Sequence, residues 1–323
     1  MRLKTLIILS VLFLLLPLSR TRPTSATGSI KIVELFSWQD SESIQFPELK
    51  GFYMGQKPPG DQPEMFLPGI VSGDYRAHSP IVFSPDGKEA YWTEMRPPDG
   101  AVMGMEMVGD VWTPPKISTI MRGEPSFSPD GKKLYFISLK PLREGEEGGK
   151  ENIWCMEEIP SGWSEPKPVG DGVNSGDVHF HHSVDRGYNL YFSDYENMYY
   201  SQYKDGEYQK AVNIKKLFRN RTLKGNSPCI SPDGDYLLFS AKRKWYDSSK
   251  CLFISFKSKD GTWTDRIFLG ERINADRLND SPRVTPDGKY IFFVSSGESR
   301  PWGIYWVSTN IIDTLRREHL TDN

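Results

Sequence analysis

Five histidines occur in the 323 residues, and three of them fall together in His179-Phe180-His181-His182. Residues i and i+2 of a strand share a face. On a strand, therefore, His179 and His181 can hold a divalent metal between them, with His78 or Glu124 as a third ligand. His182 would then face the core. The rival reading is two neutral rings hydrogen-bonded in a polar channel with no cofactor, and that absence is the first expectation.

Other chemistry is thinner. No G-x-S-x-G elbow and no phosphate-cradling loop is found. Ser-Pro-Asp recurs, but always just before a turn glycine, so it reads as structure rather than as a catalytic pair. The basic loop Lys242-Arg243-Lys244-Trp245-Tyr246 can grip an anionic glycan or peptide by charge and stacking, or it is simply solvated.

The elements that must position these residues come from a repeat. FSPDGKEAYW, FSPDGKKLYF, HSVDRGYNLYF, ISPDGDYLLF and VTPDGKYIFF align on Gly87, Gly131, Gly187, Gly234 and Gly288. Proline presets φ, aspartate bonds its own backbone, and glycine takes the positive φ of a tight turn. The flanking aromatic and β-branched runs are strands. A third strand follows at Asn152–Met156, Asn197–Gln202, Cys251–Phe256 and Gly303–Val307. A fourth is introduced by Trp112, Trp163, Tyr208 or Trp263. Four antiparallel strands in each tandem unit of about 50 residues make a propeller blade.

The fold class expected is all-β, a five-bladed β-propeller. Its last unit lacks a fourth strand, which the segment Pro63–Ser72 would supply, closing the ring and removing two sheet edges. Six blades would need a degenerate unit that the sequence does not contain. The domain boundaries are a leader at 1–26, an extension at 27–62 packing on the propeller, the propeller at 63–310, and a short helix and tail at 311–323.

Within the strand ahead of each turn, one register is apolar and the other mostly polar, as in a channel lining. The polar register places Glu124, Ser126, His179, His181, Ser227, Ser281 and Arg283 near the axis, with a Glu124–Arg283 ion pair expected there. His78, Asp177, Asn226 and Asp280 stand at the mouth. The candidate ligand-binding residues are thus His78, Glu124, His179, His181, Asp280 and Arg283, with His179 and His181 the metal candidates.

The xSPDGKxLxF unit resembles the WD-like repeat of the periplasmic Tol-system component TolB and its exported relatives, over about residues 63–310. A narrower resemblance, carried by Tyr53–Gly60 and by Ile304–Val307, is to exported bacterial propellers of uncharacterised role. The resemblance implies a propeller in the periplasm or outside the cell and leaves function open. Residues 27–62 are too few for the separate N-terminal domain of TolB. Some exported propeller lyases that cleave oligogalacturonides are similar in placing histidines around a metal. Five-bladed glycosidases use a carboxylate pair, for which this register supplies only Glu124. The reading is a binding module for a peptide, protein or glycan at the propeller mouth. The alternative is a metal-dependent lyase or hydrolase acting on carbohydrate in the same channel.

Composition agrees with export. Arg2 and Lys4 precede an apolar run from Thr5 to Leu18, shorter than the roughly 20 residues a membrane helix needs and proportioned like a signal peptide. An uncleaved tether is the other outcome, and no cysteine is nearby for a lipid anchor. Loss of residues 1–26 leaves 36 basic against 42 acidic residues, so no nucleic-acid partner is expected. No later segment reads as a membrane span, and a monomer is expected. Cys155, Cys229 and Cys251 form no disulfide framework and are expected as free thiols. Intact mass of protein recovered from an extracytoplasmic fraction should correspond to a chain starting near Thr27; full-length protein confined to the cytosol would contradict export.

Overall fold

The serine of every Ser-Pro-Asp is tied into its own turn. In the first repeat the Gly87 N–H donates to the Ser84 carbonyl at 2.8 Å, Ser84 Oγ donates to Asp86 and accepts from the Glu89 N–H, and Gly87 sits at φ 72. Gly131 and Gly288 repeat this, both at φ 74, while at Gly234, φ 68, Ser231 Oγ donates to Asp235 instead and Asp233 pairs with Arg186. The computed structural model describes residues 36–37, 46–218, 223–244, 246 and 248–320. The leader expected at 1–26 and Trp245 of the basic loop lie outside them.

Four strands follow in each unit, paired antiparallel in order. Unit one comprises Ala77–Phe83, Glu89–Glu94, Ala101–Val108 and Lys116–Ser118. Unit two comprises Gly123–Phe127, Lys133–Ser138, Asn152–Ile159 and Lys167–Pro168. Unit three comprises Phe180–Val184, Leu190–Ser193, Met198–Ser201 and Val212–Asn213. Unit four comprises Asn226–Ile230, Tyr236–Lys242, Lys250–Phe256 and Ile267–Phe268. Unit five has Leu278–Val284, Tyr290–Ser296 and Gly303–Ser308, and its outer strand is Glu64–Met65 from the opposite end of the chain, with Glu64 opposite Trp306.

The chain is an all-β propeller. The first strands of successive units touch one another, and that of unit five touches that of unit one. A narrow void of about 110 Å³ at the turn end is lined by residues of all five first strands, among them Val82, Ser126, Ser183, Cys229 and Arg283. Each of these stands opposite the residue just before the aromatic of its second strand, as Ser126 stands opposite Tyr135 and Ser183 opposite Tyr191. Unit three therefore differs from its alignment on the turn aspartate. Asp185 occupies the place of the turn serine, and Tyr188 at φ 59 the place of the glycine. The strand ahead of that turn slides by two residues relative to the sequence alignment.

The core is a series of aromatic and aliphatic clusters between neighbouring sheets. Trp92, Phe136, Phe239 and Phe293, at equivalent positions, are each 0–1% exposed. Residues 49–56 pack across units five and one: Tyr53 meets Phe83, Tyr290 and Trp306 edge-on or tilted and donates to Asp287 at 2.8 Å. The one α-helix among the described residues, Asn310–His319, buries Ile312 and Leu315 against units four and five. None of the three cysteines forms a disulfide. No helix among the described residues is long and apolar enough to cross a membrane.

Burial of this kind sets a measurable cost. Phe239→Ala or Phe293→Ala should lower unfolding free energy in urea by about 3–5 kcal/mol, since each truncation leaves a cavity as well as losing transfer energy. A loss below about 1 kcal/mol at both positions would contradict the packing.

Candidate functional site

The site grows from a kink shared by the innermost strands. Glu124, His181, Ser227 and Ser281 each lie four residues before the turn position held by Ser128, Asp185, Ser231 and Thr285, and each has positive φ, at 52, 51, 56 and 54. The ladder slips there in every unit, as at a β-bulge. A bulge releases an N–H from the ladder, and a buried N–H must find an acceptor. Three of them find a hydroxyl on the second strand of the preceding unit: Glu124 on Thr93, Ser227 on Ser193, Ser281 on Ser240. The equivalent residue of unit one is Pro80, which has no N–H, and the residue that would face it is Val294. Before unit three the hydroxyl position is Ile137, which has no acceptor. There the carboxylate of Glu124 swings across and Oε2 accepts the His181 N–H.

That exception assembles the cluster. Glu124 is 2% exposed, and its Oε1 lies 2.9 Å from His78 Nε2 and 3.2 Å from His181 Nδ1. The two rings stack with centroids 5.7 Å apart, and Ser281 Oγ stands 3.3 Å from His181 Nδ1. Burial works against the Glu124 carboxylate, yet the facing His181 and the His78 hydrogen bond outweigh it and hold the group well below the usual carboxylate range. Burial likewise disfavours a charged His78, but Glu124 raises its pKa above the ordinary value. Burial dominates at His181 and pushes it down to about 4, so that ring is neutral at pH 7. Glu124 is thus a carboxylate with depressed pKa set between two imidazoles, of which His181 is neutral at pH 7.

Sequence parity located the side of the strand correctly but not the depth. His179 does not join His181: the bulge at 181 breaks the i, i+2 relation, and the His179 ring is held between the Glu151 carbonyl at 3.0 Å and the Gly176 N–H at 3.1 Å. Arg283 does not pair with Glu124. It lies one rung deeper, donating to the Pro282 and His182 carbonyls. Asp280 is at the axis, where it accepts from Ser227 Oγ at 2.9 Å and from Lys250 Nζ. Asp177 stays at the rim, paired with Lys150. His182 is fully buried, as its parity implies.

Above the cluster opens a cleft of about 540 Å³. Its walls carry residues that no repeat pattern marks: Glu151, Arg96, Arg122, Phe180 and Tyr195. Burial, and then the charge of Glu124, raise the Glu151 carboxyl above its ordinary value. Arg96 is tied to Glu94 at 2.6 Å and Arg122 to Asp99 at 3.0 Å. Four rings are in series across the mouth, with His181 the buried one: His78 on His181, His181 against Phe180 at 5.1 Å, Phe180 against Tyr195 at 5.3 Å. Tyr195, 73% exposed, also borders a second cleft of about 760 Å³ lined by Lys224, Lys242, Lys250 and Arg266. Of the basic loop, Lys242 reaches this second cleft, and Arg243 pairs with Glu271.

No family model matches the chain, and no curated protein matches it. Among solved structures it is similar to TolB from Acinetobacter baumannii, with 17% identity and a TM-score of 0.48 over 73% of this chain. The match spans about half, 52%, of that TolB chain. It is also similar to an alpha-L-arabinofuranosidase from Lactobacillus brevis, with 14% identity and a TM-score of 0.44, over 71% of this chain and 89% of that one. Likeness at this level leaves activity to be argued from the chain's own residues.

Asp280 gives the axis a titration signature. Burial alone would raise its pKa, but Lys250 and the hydrogen bonds around it hold it well below the ordinary aspartate value. A depressed folded pKa means stability that is complete above the unfolded value near 4 and lost as pH falls below it. Asp280→Asn should cost about 2 kcal/mol at pH 7 and flatten the stability profile between about pH 5 and pH 2. Parallel pH profiles for the two proteins in urea unfolding would contradict the assignment.

Proposed function

We propose that the chain is an exported five-bladed propeller, closed by the strand Glu64–Met65, that acts as a binding module. Its mouth captures a peptide, protein segment or glycan in the periplasm or outside the cell. The observation that carries this is the cleft of about 540 Å³ over the Glu124 cluster, with a ladder of rings rising to an exposed tyrosine at its lip. Clefts of this size suit a small ligand or the end of a longer one. Tyr195 joins the cleft to the larger, more basic one beside it, a geometry suited to an extended ligand lying across the mouth. An exposed aromatic presents a large contact area with little rotamer entropy to lose, and such residues dominate binding energies. Five first strands around one axis, one from each repeat, support the blade count. The basic start and short apolar run support export.

The test is ligand selection with the purified chain on an oligosaccharide array and a displayed random-peptide library. Ligands selected on the wild type should bind Tyr195→Ala at least tenfold more weakly, about 1.4 kcal/mol, with the melting temperature unchanged. Selected ligands that bind Tyr195→Ala and Arg122→Ala as tightly as the wild type would place recognition away from the mouth.

A further inference from the structure

We propose that His78 Nε2, Glu124 Oε1 and His181 Nδ1 bind one divalent transition-metal ion at the floor of the mouth cleft. The three atoms lie within 4.8 Å of one another, with 2.9 and 3.2 Å from the carboxylate to the two rings. Metal–ligand bonds of about 2.1 Å set tetrahedral ligand atoms roughly 3.4 Å apart, so the two carboxylate–ring spacings are near that already, and the two ring nitrogens, within 4.8 Å of each other, close by up to about 1.4 Å as the rings turn onto the ion. The carboxylate is already oriented for the task. Its Oε2 is fixed by the His181 N–H, which leaves Oε1 facing both imidazoles, as outer hydrogen bonds fix metal ligands elsewhere.

The choice of side chains points the same way. Capping the His181 N–H needs only a hydroxyl, as the other units demonstrate with Thr93, Ser193 and Ser240. Unit two instead places Ile137 there and brings a carboxylate into the axis beside two imidazoles, so that three metal-ligating groups converge where one hydroxyl would cap the backbone. Two nitrogen donors with one carboxylate suit zinc, manganese, iron or cobalt better than calcium or magnesium, which prefer all-oxygen shells. Three protein ligands leave a coordination position toward the cleft, open to water or to an oxygen of whatever the cleft holds. The site does not depend on the identity of that ligand, so metal binding and ligand capture can fail separately.

The experiment uses the purified chain, stripped with a chelator and titrated with Co(II), followed by visible absorption and then by displacement with Zn(II). The expected result is one ion per chain, with visible bands of nitrogen- and oxygen-coordinated cobalt and a higher melting temperature. Glu124→Gln keeps an acceptor for the His181 N–H and should weaken binding at least about 100-fold. His78→Ala should do the same, and His319→Ala, on the C-terminal helix, should bind like the wild type. Absence of cobalt bands in the wild type would overturn the site and leave the cluster as a structural hydrogen-bond network of Glu124 with His78 and His181. Undiminished affinity in folded Glu124→Gln and His78→Ala would overturn it as well. The wild-type spectrum decides the matter should either variant fail to fold.

Discussion

The left-handed residue in the innermost strands is the constraint on which the rest of the molecule turns. A non-glycine residue held there costs about 1–2 kcal/mol, and this chain accepts it at Glu124, His181, Ser227 and Ser281. Each kink frees a backbone N–H toward the neighbouring unit, and each must be answered in a place where water does not reach. Thr93, Ser193 and Ser240 are the answers in three places. Val294 sits where Pro80 asks for nothing. The pattern ties the identity of a second-strand residue in one unit to the backbone of the next, so adjacent sheets hold register by hydrogen bonds as well as by packed rings.

The cluster at the mouth is the point where that rule is broken. Ile137 offers no oxygen, and Glu124 supplies one from its own kinked position, already inside the axis. A side chain that in a regular unit would only line the channel becomes shared among a backbone amide and two imidazoles. Its ionisation survives burial because each oxygen faces a donor, Oε2 the His181 N–H and Oε1 the His78 ring.

How much of this was legible in the sequence follows from how local each determinant is. Pro-Asp-Gly turn chemistry acts within five residues, so the units, their strand order and the absence of a fourth strand after Val307 could all be read directly. Parity along a strand is equally local, and Glu124, His181 and Arg283 do reach the axis, whereas Asp280, expected at the mouth, lies at the axis as well. Depth is not local. Asp185-Arg186-Gly187 lengthens the third turn motif, and only the hydrogen bonds of Asp185 and Tyr188 reveal that the strand before it has slid by two residues. A bulge leaves no mark in a pattern of alternation, which is why His179 was grouped with His181 and Arg283 with Glu124. Glu151, Phe180 and Tyr195 sit at strand ends and in loops, where no periodicity singles them out.

The pairing of Glu64–Met65 with Gly303–Ser308 has a kinetic consequence. The Ile304 N–H donates to Ser72 Oγ across 232 residues of sequence, and closing a loop of that length costs about 5 kcal/mol of chain entropy. Each of the first four units can form from neighbouring segments, whereas the last sheet is complete only when the two ends of the chain meet. Closure is therefore the step of highest sequence separation and the one expected to be slow. Once made, it is locked by Tyr53, wedged between Phe83, Tyr290 and Trp306. Opening the ring requires that wedge and the outer strand to leave together, which gives the circle a resistance to unravelling and to proteases that no single sheet in it would have alone.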